Sequence, residues 1–121
     1  MSYVKGDIIW VEFDNRDRIR LKHPAIIWQD EFDGNSDFNG VMITRAEPNP
    51  RFDNILMEES HFEKGFNVGF NNSHFVNQIF LKFEIWGPFH QAGRLTSDGI
   101  QFIEESLTNL VITKFEIYIR R

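Results

Sequence analysis

Residues 6–13 constrain the fold most, because they predict a strand that is apolar on both faces. Successive side chains of a strand point to opposite faces, which puts three apolar residues on one side and two on the other: Ile9, Val11 and Phe13 against Ile8 and Trp10. A strand buried on both sides belongs in the middle of a small barrel or beneath a helix. We therefore expect this strand to be central to the fold.

A charged turn and a second strand follow. Residues 14–18 are polar throughout and must lie in water, and the second strand is entered through residues 22–27. Basic side chains recur here at a spacing of two, which puts them on one face of an extended segment: Arg16, Arg18, Arg20 and Lys22. The pattern is compatible with a solvated hairpin arm, and also with a local phosphate-binding stripe on an otherwise acidic molecule.

The remainder of the chain predicts more strands, separated by loops. Residues 29–40 indicate a loop, and residues 61–73 a loop with some strand. Strand patterns lie at 41–44, 54–57, 74–85 and 111–119. Asn77 falls on an apolar face of the third of these, where a buried amide needs hydrogen-bond partners, so we expect a structural role for it.

One helix is predicted late in the chain. Thr96 or Ser97 can cap its free amides, and Asp98 suits the positive end of its dipole. An apolar stripe follows at three- and four-residue intervals: Ile100, Ile103, Leu107 and Leu110. Gly99 weakens the first turn by about 1 kcal/mol relative to Ala. Many strands and one late helix, without βα alternation, predict a single domain over 1–121, mainly β: an antiparallel β-barrel with a packed helix.

Composition limits the function and the compartment. The chain has 121 residues and thirteen Phe, enough to fill one core. It has no Cys, which excludes disulfides, thiolate metal sites and a Cys nucleophile. No apolar run approaches the ~20 residues of a membrane helix and no leader is apparent, so we expect a soluble, cytoplasmic protein without a membrane partner. The net charge of −5 argues against a general nucleic-acid binder unless basic residues cluster.

Five segments, taken in order, resemble the PemK/MazF group of toxin–antitoxin ribonucleases. They are Lys5-Gly6-Asp7-Ile8-Ile9-Trp10-Val11-Glu12-Phe13-Asp14, Lys22-His23-Pro24-Ala25-Ile26-Ile27, Val41-Met42-Ile43-Thr44, Ser73 to Gln78, and Gly93-Arg94-Leu95-Thr96-Ser97-Asp98. The second is similar to the family's Lys-Arg-Pro-Ala with its aliphatic residues, and the third to the strand that carries its Thr or Ser. The resemblance spans about residues 4–110 and implies an SH3-like antiparallel β-barrel with added helices.

The resemblance implies an endoribonuclease that cuts single-stranded RNA without a metal or cofactor, with the RNA's own 2'-hydroxyl as nucleophile. It also implies a homodimer and a cognate antitoxin protein. Thr44 matches the family's hydroxyl position, but His23 occupies the position of its Arg. Arginine clamps phosphate with two hydrogen bonds, whereas histidine can transfer protons. His23 is therefore open to three interpretations: a catalytic acid or base, the mark of a member that retains only binding, or a strand residue held extended by Pro24.

On the catalytic interpretation, His23 and Thr44 perform the chemistry and a second set contacts RNA: Arg16, Arg18, Arg20, Lys22, Arg45 and Gln78. His61, His74 and His90 lack the spacing of a helical metal pair, so no metal site is expected. The alternative is a non-catalytic SH3-like barrel that binds a protein or nucleic-acid partner, favoured by the missing Arg and the acidic net charge. The strand at 111–119 lies beyond the family's usual end, and extends the sheet or covers a dimer face.

Overall fold

The structure, a computed structural model, describes residues 2–34, 37–50, 52–85, 87–108 and 111–119. Its strands are β1 (Tyr3–Val4), β2 (Asp7–Asp14), β3 (Arg20–Ile27), β4 (Glu31–Phe32), β5 (Phe38–Thr44), β6 (Asn54–Leu56), β7 (Phe75–Asn77), β8 (Phe80–Phe83), β9 (Gln91–Arg94) and β10 (Ile112–Lys114). Its helices are a 3₁₀ turn (Glu59–His61), α1 (Ser97–Ser106) and α2 (Phe115–Tyr118). The fold is mainly β with a late short helix, as the sequence predicts.

One curled sheet carries most of the chain. Its strands run in the order β10-β8-β5-β3-β2-β9, with β7 also on β5 and β6 on β7, while β1 and β4 form a separate pair. All pairings are antiparallel except that of β10 with β8. Among the described residues no ladder joins β9 to β10, so the sheet forms a half-barrel with two edges.

The two-sided burial of β2 is confirmed. Ile9 and Val11 pack into a core that includes Phe115, and Ile8 packs into a second core that includes Ile103 and Leu107. Helix α1 thus covers one face of the sheet and the C-terminal segment covers the other. Because both faces are covered, the strand has to be apolar in both directions.

Helix α1 begins as predicted. The Thr96 side chain caps it by accepting a hydrogen bond from the Gly99 amide at 3.2 Å. Ile103 and Leu107 are buried, while Leu110 lies outside the described residues. Glycine is required at position 99, because a Cβ there would collide with the carbonyl oxygen of His61 in the 3₁₀ turn. The missing side chain lets the helix approach that turn closely.

Three strand predictions need correction. The segment 29–40 is not a simple loop, since Glu31–Phe32 pairs with Tyr3–Val4 and β5 already begins at Phe38. The run from 74 to 85 forms two strands, β7 and β8, with a break at residues 78–79. Of the strand expected at 111–119, only β10 (Ile112–Lys114) forms.

The C-terminal segment becomes helical at Phe115. One helical turn brings Phe115 and Tyr118, three residues apart, onto the same side with ring centroids 6.0 Å apart. Phe115 is buried against Phe13 and Phe83, whereas Ile117, which an alternating strand would bury, is 56% exposed. The aromatic contacts therefore favour a helical turn, in which residues three apart share a side, over a strand, in which residues two apart do.

The described residues include no helix that is both long and apolar enough to span a membrane.

Candidate functional site

A cleft of about 300 Å³ opens between β3, the end of β5 and the approach to β7. Its polar side chains are Lys22, His23, Thr44, Arg45 and His74. Trp10, Val68 and Phe70 provide apolar walls. The two residues expected to be catalytic, His23 and Thr44, therefore lie on the same cleft as two of the six residues expected to contact RNA.

Pro24 explains why the cleft opens at this place. Pro24 is paired with Trp10 of β2, and the Trp10 amide donates to the carbonyl of His90 instead of to β3. Trp10 and Pro24 are therefore a pair without mutual hydrogen bonds, and the backbone nitrogen of Pro24 faces β5 and not β2. Proline has no N–H to give to the β3–β5 ladder, which ends at the pair Ala25 and Met42. Beyond that pair β5 continues to pair with β7, and its edge towards β3 is left open.

His23 lies two residues past the end of the ladder, and its ring is partly buried. It stacks on Phe13 with centroids 5.7 Å apart and planes 25° apart. Burial lowers the pKa of His23 below its ordinary value, because removal from water disfavours the charged imidazolium. The ring is therefore neutral at pH 7 and able to accept a proton.

Thr44 presents a hydroxyl on the facing strand. Its Oγ1 accepts a hydrogen bond from the amide of Ala46 at 3.1 Å. This contact uses a lone pair of the oxygen and leaves its proton available, so the hydroxyl is oriented to donate. A donated hydrogen bond to a phosphate oxygen is a chemically suitable use of that proton.

His74 is the residue that the sequence analysis missed. It is 5% exposed, its ring lies edge-on to Phe70 with centroids 5.2 Å apart, and its Nε2 lies 3.4 Å from Nε of Arg45. Burial, and next the charge of Arg45, lower the pKa of His74, which a backbone hydrogen bond with Asn71 partly opposes. No sequence spacing could have shown this, since β7 brings His74 to the cleft only through its pairing with β5.

The charge of the cleft is positive. Lys22 Nζ lies 4.9 Å from the centroid of the Trp10 ring, and Arg45 contacts His74. Within the described part of the chain neither cation forms an ion pair with a carboxylate, and no Asp or Glu lines the cleft. Two cations without acidic neighbours favour an anionic ligand.

The other predicted RNA contacts lie elsewhere. Arg16 and Arg18 are exposed in the β2–β3 turn, and Arg20 forms ion pairs with Glu12 and Asp14 at 3.9 and 3.4 Å. Gln78 donates to the carbonyl of Asp53 at 2.7 Å and does not line the cleft. Only Arg20 and Lys22 lie on a strand, so the four basic side chains do not share one face of an extended segment, and the alternative of a solvated hairpin arm fits Arg16 and Arg18.

The turn itself has a local cause. The side chain of Asn15 accepts hydrogen bonds from the amides of Asp17 and Ile19, at 2.9 and 3.0 Å. These bonds close the chain on itself, and Arg18 adopts a positive φ of 60°. The extended geometry that would align Arg16 and Arg18 with Arg20 is therefore lost.

Other candidate sites carry less chemistry. A larger hollow of about 820 Å³ beside the 3₁₀ turn is lined by Glu59, Glu63 and Lys64, and none of its described lining residues has a buried side-chain atom without a hydrogen-bond partner. Among the described residues no three His, Asp or Glu side chains are grouped so as to hold a metal ion. The cleft between β3 and β5 therefore remains the site with convergent polar side chains.

Comparisons with protein-family models, with curated proteins and with solved structures found no match to this chain.

Proposed function

We propose that the protein is a metal-independent endoribonuclease that cleaves single-stranded RNA at the cleft between β3 and β5. One observation carries the proposal: two imidazoles, a hydroxyl and two cations that pair with no carboxylate of the described residues surround the same small space. RNA supplies its own nucleophile, the 2'-hydroxyl, so the protein needs only to move two protons and stabilise charge on phosphorus.

The proton transfers fall to the two histidines. His23 accepts the proton of the 2'-hydroxyl, whose oxygen attacks phosphorus while the bond to the 5'-oxygen breaks. His74, when protonated, delivers a proton to that leaving oxygen. The products are a 2',3'-cyclic phosphate and a 5'-hydroxyl end. Protonated His74 cannot accept from Arg45, so this role requires the guanidinium to turn to the phosphate.

The remaining polar groups bind the phosphate. Lys22 and Arg45 offset its charge, and the Thr44 hydroxyl donates to a non-bridging oxygen. Donors placed where charge develops are worth about 10²–10³ in rate each, when the site excludes water. The cleft walls, formed by buried Phe70 and half-buried Trp10, support that exclusion.

The wider proposal follows the PemK/MazF resemblance. Under it the half-barrel is an SH3-like barrel, and the chain acts as a cytoplasmic homodimer inhibited by a cognate antitoxin. His23 then replaces the family's Arg, and the lost permanent cation is supplied by Lys22 and Arg45. Light scattering of the purified protein tests the dimer independently of cleavage.

Variants of the cleft test the activity. Purified protein is incubated with a long mixed-sequence single-stranded RNA in EDTA, beside His23→Ala, His74→Ala and Thr44→Val. We expect 5'-hydroxyl fragments from the wild type and a loss of about 10²–10⁴ in rate for either histidine variant. His90→Ala is the matched control, because that exposed imidazole lies outside the cleft. If the wild-type protein left the RNA intact, the proposed cleavage activity would be rejected and the alternative of a non-catalytic binding module would be retained.

A further inference from the structure

A second cleft, of about 230 Å³, adjoins the first on the other side of His23 and Thr44, which line both. Aromatic rings surround it: Phe13, Phe52 and Tyr118. The rings of Phe52 and Tyr118 lie 5.3 Å apart at 58°, and Phe13 stacks on His23. Such walls suit a flat, unsaturated ligand.

Asn54 lines this second cleft and carries an unused hydrogen-bond acceptor. Its side chain is 4% exposed, and its Nδ2 donates to the carbonyl of Ala46 at 2.9 Å. Its Oδ1 is buried and has no hydrogen-bond partner among the residues that the structure describes. A buried acceptor without a donor is rare in folded proteins and calls for a donor from a ligand or a bound water.

Asn77 fixes the opposite wall. It is 2% exposed, and its Nδ2 donates to the Tyr118 hydroxyl at 2.7 Å. Phe115, buried in the core, anchors the helical turn that carries Tyr118. The C-terminal segment, to which the sequence analysis gave no definite role, thereby forms one side of the cleft.

We infer that the second cleft binds a nucleobase of the RNA next to the scissile phosphate, with a base N–H donating to Asn54 Oδ1. The base lies among the aromatic rings, where stacking is available to any base. Its donor satisfies the Asn54 oxygen, the one buried side-chain oxygen without a partner in the described part of the chain. The position of the phosphate in the first cleft rests on the proposed function, whereas the rings and the acceptor do not.

Binding without cleavage tests this inference separately. The probes are the four 2'-deoxynucleoside 3'-monophosphates, which lack the nucleophile, and inorganic phosphate, which lacks the base. We expect at least one deoxynucleotide to bind about tenfold tighter than inorganic phosphate and to shift the Asn54 side-chain amide signal in ¹⁵N NMR spectra. Equal affinity for all five probes, or an unmoved Asn54 signal, would overturn the inference.

Two variants locate the effect. Asn54→Leu removes the acceptor, and Phe52→Leu removes one ring. Each should weaken the affinity for the preferred deoxynucleotide by about tenfold and leave the affinity for inorganic phosphate unchanged. Gln101→Leu removes an exposed amide from α1 and should change neither. Since Asn54 is buried, thermal melting checks that the Asn54→Leu protein folds. Phe52 is half-buried, so Phe52→Leu tests the site with a smaller risk to folding. Unchanged affinity in both folded variants contradicts the inference.

The outcomes separate the two proposals. A wild type that leaves RNA intact but shifts the Asn54 signal with a deoxynucleotide retains the base site and rejects the cleavage mechanism. A wild type that cleaves RNA, while the deoxynucleotides bind no tighter than inorganic phosphate and the Asn54 signal does not move, retains the mechanism and rejects the base site.

Discussion

Gly99→Ala separates the structural account from helix propensity, because the two predict opposite signs. Within a helix Ala is favoured over Gly by about 1 kcal/mol. The structure nevertheless places the new Cβ against backbone atoms of the 3₁₀ turn, where it would overlap the carbonyl oxygen of His61 and lie 3.0 and 3.2 Å from its carbonyl carbon and Cα. Backbone atoms cannot rotate away as a side chain can.

The expected size follows from what must move. Two hydrogen bonds hold the helix start to the turn, from the Thr96 amide to His61 at 2.9 Å and from the Thr96 hydroxyl to Ser60 at 2.8 Å. Overpacking costs about 1–3 kcal/mol and each weakened hydrogen bond about 0.5–1.5 kcal/mol. After subtraction of the gain in helix propensity, Gly99→Ala should lower the free energy of unfolding by about 1–5 kcal/mol.

Urea unfolding followed by circular dichroism measures this difference. Gly69→Ala is the matched control, because no atom lies within 4 Å of its new Cβ. The control should be neutral or stabilising by up to about 1 kcal/mol. A Gly99→Ala protein at least as stable as the wild type would refute the close approach of α1 to the 3₁₀ turn.

Three further predictions concern charge and pH. Asp7, 3% exposed, accepts hydrogen bonds from Arg94 at 2.7 Å, Val4 at 3.0 Å and Gln91 at 3.2 Å, so Asp7→Asn should cost about 1–3 kcal/mol in urea unfolding. The lowered pKa of His74 means that the unfolded chain takes up its proton first as the pH falls below 6.5. As the pH falls from 6.5 to the pKa of His74 in the folded protein, the free energy of unfolding of the wild type should therefore decrease relative to that of His74→Gln. Parallel pH profiles of the two free energies would contradict this. Because the pKa values of His23 and His74 are both lowered, cleavage should peak below pH 6.5, and a rate that rises to a plateau above it would exclude His74 as the acid.

Local patterns were enough to predict the centre of the fold. The continuous apolar run in β2 indicated burial on both faces, and the Thr96 cap with its apolar stripe predicted α1, because each signal lies within a few residues. The same kind of signal failed at the C-terminus. Phe115 and Tyr118 fit a helical turn as well as Phe115 and Ile117 fit a strand, and only contact with Phe13 and Phe83 decides between them.

The cleft could be predicted only in part. The resemblance to the PemK/MazF family pointed to His23 and Thr44, which do lie on one cleft, while Arg16, Arg18 and Gln78 do not. His74 comes from a distant segment, and its approach to Arg45 depends on the pairing of β7 with β5. The opening at Pro24 depends on which neighbouring strand its missing N–H would face, and no local pattern contains that information.

Cleavage of an oligonucleotide that is DNA except for single ribonucleotides tests the central claim most directly. The reaction contains EDTA, and mass spectrometry identifies the product ends. The account predicts scission only after a ribonucleotide, with a 2',3'-cyclic phosphate and a 5'-hydroxyl, and an intact all-DNA strand. Scission of the all-DNA strand, scission that requires added Mg²⁺, or no scission at any ribonucleotide would contradict it.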